Sequence, residues 1–180
     1  MKLKQCKNCK SKFQPFMPLQ VVCGPRCAGE WARRKTLEKQ KKAHAKRKRD
    51  YYENDVKTRK AAAKKACHAY IRERDKGNGC ICCGRPLGQK FDAGHFLESG
   101  NNPKIRYHED NIHAQSVYCN QYKGGNSAEY EKRLREKIGD ERVEYLLDNR
   151  GGTMKRTAQD YRDIEIYFKN KLGELTDVQG

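Results

Sequence analysis

Two short cysteine pairs, Cys6-x-x-Cys9 and Cys23-x-x-x-Cys27, stand thirteen residues apart at the head of the chain; a third, Cys80-x-x-Cys83, with Cys119 further on, lies near its middle. These pairs limit the fold more tightly than any hydrophobic pattern. Of 180 residues only 36% are hydrophobic and 35% are charged, so a single large apolar core is excluded and small modules need another source of stability. No apolar segment follows the N-terminal MKLKQCKNC, and no run approaches the roughly 18 apolar residues of a membrane span. The expectation is an intracellular, soluble protein with no membrane partner, in a compartment that keeps thiols reduced. There, closely spaced cysteines read as zinc ligands rather than disulfides.

Residues 1–30 read as a small module in which Cys6, Cys9, Cys23 and Cys27 close a structural four-cysteine zinc site. Phe13, Phe16, Leu19, Val21 and Val22 are expected to form a miniature core beneath the metal. Residues 31–76 read as a basic helical connector. From Trp31 to Lys65 there are fifteen Lys or Arg against four Asp or Glu, with no Pro or Gly. Good helix formers dominate, but no continuous apolar stripe runs along them. The net charge of +17, from 40 basic and 23 acidic residues, points to a polyanionic partner, with nucleic acid foremost. The densest run, Lys41, Lys42, Lys46, Arg47, Lys48 and Arg49, is a candidate for sequence-independent phosphate contact. The alternative is a solvated linker helix.

Residues 77–126 form the predicted core. Cys80 and Cys83 make a knuckle, with Cys82 a spare. Residues 90–96 are predicted to form a strand carrying His95, with Ile105-Arg106-Tyr107 as its partner, and Cys119-Asn120 is expected to open a helix. Residues 127–180 read as a helical arm of three amphipathic segments: one carrying Tyr130, Leu134 and Ile138, one carrying Val143, Leu146 and Leu147, and one starting at Thr157. The expected class is α+β.

The order of these motifs, AYIRERD, then the knuckle, DAGHF and NIHAQSVYCNQYKGGN, resembles the HNH or ββα-metal nucleases. More closely, and nearly end to end, it resembles the phage lambda NinG (Rap) recombination family. The resemblance implies a ββα-metal core and a phage-encoded endonuclease acting in the host cytoplasm on branched DNA such as Holliday junctions and D-loops. It implies His95 as general base and Mg2+ or Mn2+ held by Asn120 and Asp92. It places Asn111 where the superfamily keeps an Asn that orients the His or braces the loop, and makes Arg106 and Lys123 candidates for phosphate contact. Two cuts in a branched substrate would suit a homodimer. A catalytically inactive zinc-containing DNA-binding accessory protein is the alternative.

Two positions depart from the pattern. Superfamily members commonly carry an acid just before the base His, where this chain has Gly94; Asp92 reaches the metal only if the chain bends there, the alternative being a structural Asp that caps the turn. The family pattern also expects a cysteine where Ser116 stands. Cys80, Cys83 and Cys119 then leave one corner of the second zinc site open, for His113, Ser116 or a water; the alternative for His113 is a histidine packed in the core.

Overall fold

The computed structural model of the protein describes residues 2–125 and 127–177; Asn126, the last residue of the predicted core, and residues 178–180 of the predicted arm lie outside them. The chain divides after Tyr52 into two compact units.

In the first unit, strands β1 (Lys4–Gln5) and β2 (Lys12–Phe13) pair antiparallel and leave the turn of Cys6 and Cys9 between them. The Lys10 N–H donates to the Cys6 carbonyl at 2.9 Å, and Lys10 takes a left-handed φ of 64° to close the knuckle. Helix α1 (Pro25–Asn54) starts with Pro at its first position, where the missing N–H costs nothing. None of its residues is buried, as its composition demands. The expected miniature core forms only in part. Phe13, Val21 and Val22 are half-buried and Pro15 and Cys6 are buried, whereas Phe16 and Leu19 are 89% and 90% exposed, because two strands of two residues cannot cover them.

The predicted single connector helix is interrupted. Asp55 caps a new helix, α2 (Val56–Arg74), its carboxylate accepting the Thr58 N–H at 2.7 Å. Helix α2 buries Ala63, Ala66, Cys67, Tyr70 and Ile71 against α5 (Ala158–Asp177), where Tyr70 and Phe168 meet with ring centroids 5.6 Å apart. Helices α3 (Ser127–Ile138) and α4 (Asp140–Asp148) flank Gly139, whose φ of 86° turns the chain between them. Their buried Tyr130, Leu134, Val143 and Leu146 join the knuckle residues Cys80, Ile81 and Cys82 in a second core.

Between the two cores lie β3 (Phe91–His95) and β4 (Ile112–Ser116), antiparallel and paired at every residue from Phe91↔Ser116 to His95↔Ile112. The partner strand is thus not residues 105–107, which form turns; Ile105 is buried there. The sheet is helix-covered on both faces. Ala93 and Ile112 pack toward α2 and α5, while Gly94, His113 and Gln115 look the other way, where the Tyr130 hydroxyl donates to the Gly94 carbonyl at 3.0 Å. The outer edge of β4 is closed as well: the Ala114 N–H donates to buried Asp75, and the Ala114 carbonyl accepts from Ile81.

The pairing is continuous through Gly94, so the chain does not bend there. The glycine answers a different need: a Cβ at this position would sit 1.9 Å from the Gln115 side-chain oxygen. Gly94→Ala should cost about 1–3 kcal/mol of stability in urea unfolding. The cost should shrink when measured in a Gln115→Ala background; equal costs in both backgrounds would contradict this steric account.

Candidate active site

His95 closes β3. Its Nε2 lies 3.1 Å from the Arg106 carbonyl; a carbonyl only accepts, so Nε2 carries the proton and Nδ1 is left with its lone pair. Burial pulls the imidazole below its ordinary value, against the Arg106 carbonyl, and the charges of Lys64 and Arg106 add to the depression. The ring is neutral near pH 7 and therefore able to accept a proton. Past His95 the chain is braced by Asn111, which is fully buried: its Oδ1 accepts the Leu97 N–H at 2.8 Å, and its Nδ2 donates to the Leu97 and Ile105 carbonyls. Asn111 thus holds the loop that carries Arg106 rather than touching the His95 ring.

Asn120 sits in a single π-helical turn, Tyr118–Tyr122, not at the start of a long helix. It lines one surface pocket with His95, Glu98 and Ser99. Its Nδ2 donates to Asp92 at 2.8 Å, and Gln121 donates to the same carboxylate oxygen at 3.0 Å. With β3 unbent, Asp92 reaches the site through Asn120 and not through a bend at Gly94. Arg106 is held by the Ser99 carbonyl, and Lys123 lies 5.4 Å from the Tyr118 ring centroid. Lys41, Lys42, Lys46, Arg47, Lys48 and Arg49 all lie on α1, far down its exposed length and within the first unit.

Both cysteine groups assemble. The sulfurs of Cys6, Cys9, Cys23 and Cys27 all lie within 4.8 Å of one another. Two of the separations are 3.7 Å (Cys9 to Cys23) and 3.5 Å (Cys23 to Cys27). Thiolates bonded to zinc at about 2.3 Å define a tetrahedron with edges of about 3.8 Å, so four zinc ligands fit this set. Hydrogen bonding to Cys27, Cys9 and Cys6 pushes Cys23 up to about 12. Cys6, whose burial is opposed by the Cys9, Cys23 and Asn8 N–H groups, falls to about 6.

Cys80, Cys83 and Cys119 form the second group. Ser116 occupies its open side, with its hydroxyl 3.6 Å from the Cys80 sulfur and accepting the Cys119 N–H at 3.2 Å. His113 is not part of this group. It points from the opposite face of β4 toward Tyr130, with Nδ1 3.5 Å from the Tyr130 oxygen, and burial drives it down to about 3. Residues alternate faces along a strand, so His113 and Ser116, three apart, cannot serve one site. Cys82 also lies outside the group and meets the Gln115 amide at 2.7 Å.

The chain matches the family described as "Bacteriophage Lambda NinG protein" over residues 1–177. It is 34% identical to Protein ninG of Escherichia phage lambda over 190 residues, covering 96% of this chain and 93% of that protein. With Protein ninG of Salmonella phage P22 it shares 34% identity over 192 residues, covering 97% and 94%. The chain belongs to the NinG family. No solved structure matches it. The NinG match spans both cysteine groups, the sheet and all three C-terminal helices, so the family likeness concerns the whole architecture and not one motif.

Sequence reasoning missed His68. Its ring centroid lies 5.8 Å from that of His95, and burial, with the His95 charge next, drives it down to about 4. The signal was present: Lys57, Lys60, Lys64 and His68 recur at three- and four-residue steps, one face of a helix. It also missed Gln121 as the second donor to Asp92.

The open corner of the second cysteine group makes a specific expectation. Ser116→Cys completes four thiols and should slow zinc loss to a chelator from that site, read as metal release by a colorimetric indicator, without altering release from the N-terminal site. Unchanged release kinetics would show that Ser116 does not face the metal.

Proposed function

We propose that this NinG-family protein is a metal-dependent endonuclease of the HNH type that cleaves branched DNA. The observation that carries the reading is the His95 imidazole. It is fixed by the Arg106 carbonyl with its Nδ1 lone pair available, and it lines one pocket with Asn120. Phosphodiester hydrolysis needs a base for the attacking water and relief of charge at the phosphate. His95 takes the proton of that water at Nδ1. Asn120 and Asp92 are oxygen donors of the kind that hold Mg2+ or Mn2+ alongside substrate phosphates, and they would hold it here. Such an ion supplies Lewis acidity at the phosphate. Zn2+ at the two cysteine groups would be structural.

The basic face of α1 supports backbone binding without base reading, which suits recognition of DNA by shape. No described helix is long and apolar enough to cross a membrane. Paired cuts in a branched substrate make two copies of the chain an apt assembly.

A second reading, a zinc-containing DNA-binding accessory protein without catalysis, is favoured by two observations. The Asp92 oxygen is already engaged by Asn120 and Gln121, and the residue before His95 is Gly94 rather than an acid.

Incubating the protein with a four-way junction and a linear duplex of equal length, with Mg2+ or Mn2+, separates the two. The nuclease reading expects cleavage of the junction, and His95→Ala should lower its rate by at least about a hundredfold while leaving junction binding in place. Binding without cleavage under every metal condition would favour the accessory protein. The cleavage rate should also rise with pH and level off once His95 is neutral. Because its folded value is depressed, the midpoint should lie below the ordinary histidine value near 6.5. A midpoint above that value would identify a different base.

A further inference from the structure

Beside His95, between α2 and the loop that follows β3, lies a cavity of about 340 Å3. Its volume falls at the lower end of the roughly 300–1,000 Å3 range of small-ligand sites. Its inner wall is apolar, built from Cys67, Ile112 and the side of Tyr107. Its mouth is cationic. Lys57, Lys60 and Lys64 rise along one face of α2, and Arg106 stands opposite. The rings of His68 and His95 and the Ser99 side chain supply the polar groups between floor and rim. No carboxylate lines the cavity, so it suits neither a metal cation nor a basic ligand. All three lysines are exposed.

An apolar slot with a few polar groups and an anion-attracting rim matches one chemical class, a nucleobase attached to its phosphodiester. A base within duplex DNA cannot enter, because it is stacked and paired. At a branch point the continuous stack is interrupted, extrusion costs least for a base already freed from its partner, and enzymes that extrude a base hold it in a pocket. We infer that this cavity receives an unpaired nucleotide at a DNA branch point, its base on the floor of Cys67 and Ile112 and its flanking phosphates on Lys57, Lys60 and Lys64. The strand is thereby delivered to His95. The inference rests on the proposed function for the identity of the polymer, and it adds to that reading a local source of preference for branched DNA. His68, on the wall between the lysine ridge and His95, is then a positioning residue for the bound nucleotide.

The test places 2-aminopurine, whose fluorescence rises when it leaves the base stack, at the branch point of a four-way junction. It uses the full-length protein with no Mg2+ or Mn2+ added. Binding should raise the fluorescence several-fold over that of the same base in a bound linear duplex. Ala61→Trp, at an exposed position of the cavity wall, should abolish the rise and reduce the preference for junction over duplex. Lys60→Glu with Lys64→Glu, two exposed positions that disturb no packing, should weaken junction binding more than duplex binding. Junction binding with no fluorescence change, or a full rise with Ala61→Trp, overturns the inference. Selective junction cleavage without the fluorescence rise would overturn the cavity's role and leave the nuclease reading standing. A rise that Ala61→Trp abolishes, in a protein that cleaves nothing, would support the cavity and remove the nuclease.

Discussion

The structure of the second unit depends on one short ladder, the five residue pairs of β3 and β4. An isolated two-stranded sheet is marginal in water. This one persists because each exposed part of it is covered by something else. Helices α2 and α5 cover the face of Ala93 and Ile112, Tyr130 of α3 covers the face of Gly94, and Asp75 and Ile81 bond the free edge of β4 at Ala114. Register does the rest. A slip of one residue would exchange the faces, moving His95 away from α2 and forcing Gln115 into the apolar layer. The close approach of Gln115 to Gly94, where a Cβ would force the buried Gln115 side chain to shift, belongs to this register. The identity of residue 94 is therefore constrained by its packing against Gln115.

The thiol groups act at a second level. In a chain with 36% hydrophobic residues, sulfur occupies interior positions where larger proteins place leucine. Cys6 lies inside the first unit, and Cys80, Cys82 and Cys119 sit in the second core beside Tyr130 and Leu134. In the first unit the exposure of Phe16 and Leu19 means that apolar burial contributes little, so bridging of the four sulfurs is the dominant stabilising interaction available. In the second unit a packed core surrounds the three sulfurs, and a weaker metal site there is tolerable.

Much of this was legible in the sequence, and the parts that were not share a cause. The arm helices follow from local pattern: Tyr130, Leu134, Val143 and Leu146 recur at helical spacing and are all buried, and Gly139 marks the turn between α3 and α4. The cysteine sets follow from ligand spacing, and four-plus-three sulfurs converge where the pairs predicted. The partner strand was misplaced because β4 hides polar residues, His113 and Gln115, on a buried face, so Ile-His-Ala-Gln-Ser does not read as a core strand. The break at Asp55 was lost in a charged run where a capping Asp looks like any exposed one. His68 and the lysine ridge gained meaning only when α2 was seen to pack beside His95, a non-local fact.

The site that emerges joins two surfaces of the sheet. His95 stands on the α2 side with its Nε2 held by the Arg106 carbonyl and its Nδ1 lone pair free of that bond, and Asp92 stands on the other, linked to the His95 pocket by Asn120. The proposed nuclease reading would hold one divalent ion at this junction. It is tested most directly by titrating Mn2+ into the 15N-labelled, zinc-loaded protein and following amide signals by NMR. The account predicts that signals of Asp92, His95 and Asn120 broaden first at substoichiometric Mn2+, and that Asn120→Ala removes the effect. Broadening confined to other carboxylates, such as Glu109 and Asp110, or unchanged by Asn120→Ala, would contradict it.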